Sequence, residues 1–82
     1  MRCMIAGQFF YLQTREVEAA MHGIKPEPIR GACAQIGSQW YPVMQIGAKL
    51  TGQDRRDFTA AEVYRALTGL GLPCRPNPPS AG

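Results

Sequence analysis

The chain has 82 residues, 45% of them hydrophobic, and a formal charge of +3 at pH 7. This length fits one small domain, and the apolar share excludes wholesale disorder. No segment approaches the ~20 apolar residues of a membrane-spanning helix, so we expect no membrane partner. Three widely spaced cysteines do not form a disulfide framework, which favours a reducing, cytoplasmic location.

The charge is unevenly distributed along the chain. Residues 1–29 hold three cations and three carboxylates, whereas residues 30–82 hold six cations and three carboxylates. The whole positive excess therefore lies in the second half. Such an excess suits a polyanionic partner, although +3 is also common in domains that are merely soluble.

The N-terminal stretch MIAGQFFYLQ, residues 4–13, predicts a strand. Its consecutive apolar residues indicate that both faces are covered, by the domain or by a second copy. The first helix is predicted from Thr14, a good N-cap, to Gly23. Its inward stripe follows the i, i+3, i+4 spacing of Val17, Ala20 and Met21.

A β-hairpin is predicted next. The segments ACAQI and QWY flank Gly37-Ser38, and glycine in the first position of a two-residue loop is typical of a type II′ turn. A second helix is predicted over residues 42–51, because Pro42 fits a first helical turn. Gly47 costs about 1 kcal/mol there relative to Ala, and we expect it where another backbone packs close. The inward residues are Val43, Ile46 and Leu50.

The third helix is the best-marked element. Thr59 and Glu62 predict a capping box at its start, and Phe58 is placed to pack onto Val63. Its inward residues, spaced i, i+4, i+7, are Val63, Leu67 and Leu70. We assign residues 1–72 to one domain and residues 73–82 to a disordered, proline-rich tail, although a short last strand could begin at Leu72.

This order of elements predicts an α+β fold. We expect a small winged-helix or helix-turn-helix-like domain with three helices, a short β-hairpin and an N-terminal strand. In a helix-turn-helix the second helix lies in the major groove, where its N-terminal residues contact bases and phosphates.

Six residues are candidates for DNA contact, four of them at or just before the third predicted helix and two, Lys49 and Arg30, in supporting roles. Two adjacent arginines precede its N-terminus, and a third lies on its outward face. Arginine suits this role because its planar fork donates bidentately to phosphate or guanine, and a helix N-terminus adds an anion site. The candidates are Arg55, Arg56, Thr59, Arg65, Lys49 and Arg30.

An alternative interpretation of the two arginines is structural. Arg55 and Arg56 lie between Asp54 and Asp57, so the cluster also fits a solvated turn with exposed ion pairs. The link from Gly52 to Phe58 is also longer than the usual turn of about three or four residues. The sequence leaves both interpretations open.

The run YPVMQIGAKLTGQDRRDFTAAEVYRALTGLG, residues 41–71, resembles small actinobacterial and actinophage winged-helix-like proteins. It is also similar to the N-terminal head domain of Streptomyces McrA-like HNH endonucleases. In that pattern Tyr-Pro opens a helix ending in Thr-Gly, and an Asp/Arg turn and Phe precede a helix ending in Leu-Gly. The resemblance implies a winged-helix-like fold that binds DNA. It implies no catalysis, since these 82 residues contain no HNH motif.

Residue types and spacing favour a non-enzyme without a cofactor or a small-molecule substrate. No phosphate-binding glycine motif occurs, and the carboxylates other than Glu27 have helix-start or turn positions that explain them. A Cys₃His zinc set of Cys3, Cys33, Cys74 and His22 lacks the short spacing of such sites. We expect a buried Cys33 and an exposed Cys74 instead.

Trp40 and Tyr41 at the end of the hairpin have two interpretations. They could stack on a base, or they could close one edge of the core while the indole N–H and phenol O–H find partners. The second arrangement is the commoner one.

We therefore expect a small DNA-binding or transcription-regulating protein that acts on double-stranded DNA. The alternative is a protein–protein interaction module, such as a phage-encoded inhibitor or adaptor that binds a host protein. This alternative depends on Phe9, Phe10 and Tyr11, because so small a core does not comfortably bury these consecutive large apolar side chains. Their strand could pair with a second copy, giving a homodimer, or with a partner's sheet.

Overall fold

The computed structural model describes residues 2–5 and 7–76, and only the backbone of residues 2–4 and 8–10. The elements in chain order are β1 (Arg2–Ile5), β2 (Gln8–Tyr11), α1 (Thr14–Met21), β3 (Cys33–Ile36), β4 (Gln39–Pro42), α2 (Val43–Thr51), α3 (Ala60–Gly69) and β5 (Cys74–Arg75). This is the predicted α+β class, and its three helices and three-stranded antiparallel sheet are compatible with a winged-helix-like fold. The described residues include no helix long and apolar enough to cross a membrane.

The predicted N-terminal strand is present as two strands rather than one. β1 and β2 pair antiparallel, with Ile5 opposite Gln8. The chain reverses at Gly7, whose φ of 75° lies in the region that glycine adopts at little cost. The apolar run at β2 therefore forms one strand of a separate two-stranded sheet.

The main sheet has the strand order β4-β3-β5. The predicted hairpin of β3 and β4 is confirmed, and Gly37 in its turn has a φ of 64°. On the other edge of β3, Ala34 lies opposite Cys74. Cys74–Arg75 thus belongs to the sheet rather than to the predicted tail, and residues 77–82 lie outside the described part of the chain.

The helices begin and end close to the predicted residues. The N-cap of α1 is Gln13, one residue before the predicted Thr14. α2 ends as predicted at Gly52, which is left-handed with a φ of 69°. At the start of α3, Thr59 Oγ1 accepts a hydrogen bond from the Glu62 backbone N–H at 3.2 Å, as the capping box requires.

The core lies between the three helices and the main sheet. It takes side chains from every helix, from β3 and β4, from Ile5 of β1 and from the turn before α3. The buried members include Val17, Met21, Ala34, Tyr41, Val43, Ile46, Phe58, Val63 and Leu67. Leu50 and Leu70, also predicted to face inward, are partly buried against this core.

Gly47 lies where α2 meets α3. A Cβ at this position would come within 2.7 Å of both Phe58 Cε2 and Val63 Cγ2. The close neighbours are therefore side chains, not the backbone that we expected. The missing Cβ lets α3 and the residue before its cap pack directly onto α2.

Candidate nucleic-acid interface

The outward face of α3 is formed by every third or fourth residue of the helix. Val63, Ala66 and Leu67 are buried, so the opposite stripe is left exposed to solvent. The exposed residues are Ala61, Arg65, Thr68 and Gly69. The periodicity predicts Ala61, Glu62, Arg65 and Thr68 on this face, and of these Glu62 is half-buried rather than exposed. Among the described residues, Arg65 has no carboxylate within salt-bridge distance.

A groove of about 540 Å³ runs along this face. The described residues that line this groove are Ala61, Tyr64, Arg65, Thr68 and Gly69. Three of these residues have small side chains or none, so another molecule can approach the helix closely. An alanine or threonine methyl group can contact a thymine methyl, and an arginine fork can bond to guanine.

Arg55 lies in the turn before α3 and forms a bidentate ion pair with Glu27. Its Nη1 and Nη2 donate to Glu27 Oε1 and Oε2 at 2.7 and 2.5 Å. This hydrogen bonding holds the pKa of Glu27 below its usual value, and the charge of Lys49 acts in the same direction. The two side chains remain 45% and 40% exposed, so solvent reaches the pair.

Arg56 pairs within the turn itself. Its Nε and Nη2 lie 3.3 Å from the two carboxylate oxygens of Asp54, and its backbone N–H donates to Asp54 Oδ1 at 2.9 Å. The backbone bond is the larger cause of the lowered Asp54 pKa. The Arg56 side chain is 90% exposed. The turn thus has the exposed ion pairs of the structural interpretation, and solvent screening makes the contribution of such pairs to stability small.

The structure brings some of the predicted DNA-contact residues together. Arg30 and Arg55 line one groove of about 370 Å³, bordered by the starts of α2 and α3. Lys49 is exposed in the last turn of α2, and its positive charge helps to lower the pKa of Glu27, the partner of Arg55. Thr59 uses its hydroxyl to cap α3, so its first role is structural.

The structure describes three of the four side chains of the candidate Cys₃His zinc set. Cys33 is buried, and burial raises the pKa of its thiol. Cys74 is half-buried, not exposed as predicted, and its Sγ donates to the Leu72 carbonyl at 3.3 Å. His22 is exposed, and the Cys3 side chain lies outside the description. The described residues contain no group of three metal-binding side chains.

Tyr41 confirms the core interpretation of the aromatic pair. It is 5% exposed, and its hydroxyl donates to the Ile24 carbonyl at 3.0 Å. Trp40 is half-buried, and the guanidinium carbon of Arg75 lies 5.3 Å from its ring centroid. This cation–π contact attaches β5 to β4 across the sheet.

The family model described as SCO5918-like matches residues 1–82. The chain belongs to the SCO5918-like family. The family carries the name of a Streptomyces protein, which is consistent with the actinobacterial origin that the sequence resemblance implies. No curated protein and no solved structure matches the chain.

Two residues that sequence reasoning missed organise this site in the SCO5918-like chain. Glu27 binds Arg55 across 28 residues of sequence, and Gln45 is buried in α2 at 3% exposure. Gln45 Oε1 accepts from the Glu27 backbone N–H, and its Nε2 donates to the Lys25 carbonyl, both at 3.0 Å. A signal for Glu27 was present, since no helix start or turn explained that carboxylate.

Proposed function

We propose that this SCO5918-like protein binds double-stranded DNA through α3 and the turn before it, as a small non-enzymatic regulator of transcription. The observation that carries the proposal is the exposed stripe of Ala61, Arg65 and Thr68 on a helix whose opposite face is fixed in the core. Arginine is the commonest reader of guanine, and the two methyl-bearing residues suit thymine. On this proposal Arg65 confers sequence preference.

Phosphate contacts would come from the cations around the start of α3. Arg56 is 90% exposed, and its ion pair with Asp54 is weak enough to exchange for a phosphate. Arg30 and Lys49 are also exposed. A capped helix N-terminus adds backbone dipoles that favour an anion. Together with Arg55, these residues are four of the six cations in the second half of the chain.

The first test is fluorescence anisotropy of a labelled random-sequence duplex at about 50 and 200 mM salt. Binding should weaken steeply with salt, because phosphate contacts release counterions. The double variant Arg55→Ala/Arg56→Ala should lower the slope of log K against log salt by about 2 if each arginine meets one phosphate. Arg15→Ala, an exposed arginine in α1, serves as the control and should have little effect.

Two results would contradict this account. An unchanged salt slope in the double variant would remove Arg55 and Arg56 from the interface. Absence of wild-type binding at both salt concentrations would refute the DNA-binding proposal.

Arg65 gives a separate test of sequence preference. Arg65→Lys keeps the charge but loses the bidentate fork, so a preferred duplex selected from a random pool should lose its advantage over non-specific DNA. Lys49→Arg, which keeps a cation on α2, should leave the preference intact. Equal preference in wild type and Arg65→Lys would exclude Arg65 as the base-reading residue.

A second candidate function is protein–protein interaction through the N-terminal hairpin. Tyr11 is 71% exposed on β2, and in the described residues β2 pairs only with β1. The side chains of Phe9 and Phe10, which the predicted interface includes, lie outside the described part of the structure. Such an edge could add a strand from a second copy or from a host protein. Light scattering after size exclusion should then give a dimer that Tyr11→Lys weakens, and a monomer at high concentration would count against self-association.

A further inference from the structure

We propose that Glu27 competes with a DNA phosphate for Arg55, so that withdrawing its carboxylate strengthens DNA binding. This inference rests on the proposed DNA-binding function. It makes Glu27 a built-in regulator of the interface: the contact limits how much of the positive charge in the turn is available to DNA.

The geometry of the pair is that of a phosphate contact. Arg55 Nη1 and Nη2 donate in parallel to the two Glu27 oxygens at 2.7 and 2.5 Å. A phosphate offers two oxygens to the same fork, which is why arginine binds both groups bidentately. This edge of the guanidinium cannot hold a carboxylate and a phosphate at once. DNA must therefore displace Glu27 or bind without this contact.

The position of Glu27 is fixed by the fold and is not a chance surface encounter. Its backbone N–H is held at 3.0 Å by Gln45, which is 3% exposed in α2. Pro26 and Pro28 flank it and restrict the backbone to an extended course. Arg56 and Asp54, in contrast, pair between neighbours two residues apart.

Exposure of the pair makes the competition reversible. The side chains are 45% and 40% exposed, so water and ions reach them, and the pair has the weak affinity of surface ion pairs. Freeing Arg55 should therefore raise the affinity for DNA by about fivefold at low salt, the upper end for an exposed pair.

The test measures binding of the labelled random duplex by Glu27→Gln, Glu27→Asp and the control Glu18→Gln. Glutamine removes the charge and leaves the backbone bond to Gln45. Aspartate keeps the charge but shortens the side chain by one methylene. A gain in binding by Glu27→Asp therefore reports the release of Arg55 and not a change in net charge. Glu18 is an exposed carboxylate of α1, so Glu18→Gln makes the same charge change elsewhere.

We expect about fivefold tighter binding for Glu27→Gln, a smaller gain for Glu27→Asp and less than twofold for Glu18→Gln. In an Arg55→Ala background, the advantage of Glu27→Gln over Glu18→Gln should disappear. Thermal melts by circular dichroism would establish that each variant is folded.

Three results would overturn the inference. Equal gains for Glu27→Gln and Glu18→Gln would show a general charge effect, and weaker binding by Glu27→Gln would mean that Glu27 positions Arg55 productively. Wild-type binding with no gain in either Glu27 variant would refute the competition while leaving the DNA-binding proposal standing. Failure of the wild type and of every variant to bind DNA would overturn both.

Discussion

Replacing Gly47 by alanine tests the packing that sets α3 against α2. The new Cβ would lie 2.7 Å from Phe58 Cε2, 2.7 Å from Val63 Cγ2 and 3.0 Å from Phe58 Cζ. Carbon atoms pack best at about 3.5–4.0 Å, so α3 or the Phe58 ring must move by close to 1 Å. Overpacking of this kind costs about 1–3 kcal/mol, whereas alanine recovers about 1 kcal/mol of helix propensity. We expect Gly47→Ala to lower the free energy of unfolding by about 1 kcal/mol.

Urea denaturation followed by Trp40 fluorescence would measure this change. Gly31→Ala is the matched control, because a Cβ there meets nothing within 4 Å and the backbone is not left-handed. It should change stability by less than about 0.5 kcal/mol. In Gly47→Ala/Val63→Ala the second change removes one clashing methyl, so the double variant should lose less than the sum of the single losses. A Gly47→Ala protein as stable as the wild type would refute the reasoning.

Three further predictions follow from the contacts around α3. Thr59→Ala should lose about 1 kcal/mol of stability in urea denaturation because the cap of α3 is lost, whereas Thr59→Ser should keep most of it. Gln45→Leu should lower the free energy of unfolding by about 2 kcal/mol, since it leaves the Glu27 N–H without its partner; near-wild-type thermal stability would contradict this. The lowered Glu27 pKa means that its pair with Arg55 stabilises the fold above the ordinary glutamate pKa. That contribution should be lost as pH falls through the folded-state pKa, and a stability difference between wild type and Glu27→Gln that is the same at pH 7 and pH 3 would refute the assignment.

Elements with local signals were predictable from the sequence. The ends of α2 and α3 depend on Gly52 and Thr59, whose effects act within one helical turn. The outward stripe of α3 follows from the spacing of its buried residues. The reversal at Gly7 was missed because a glycine inside an apolar run marks either an interruption or a turn, and composition does not decide between them.

Long-range polar contacts were not predictable in the same way. The sequence offers Arg55 two nearby acids, Asp54 and Asp57, yet its partner is Glu27, 28 residues away. In the sequence Gln45 is an ordinary polar residue of a helix. Its role follows from the connection before β3, whose backbone packs against it and bonds to its side chain. Such pairs are decided by the path of the backbone, which composition and periodicity leave open.

The closing of the main sheet by β5 bears on when this domain can fold. Ala34 pairs with Cys74, about 40 residues later, and the Gln35 N–H donates to the Pro73 carbonyl at 2.8 Å. During synthesis one edge of β3 therefore remains unpaired until α3 and β5 have emerged from the ribosome. Contacts this far apart in sequence slow folding, because the loop must close before the pairing can stabilise it. Folding of this domain should accordingly be completed only after the chain has been made as far as Arg75.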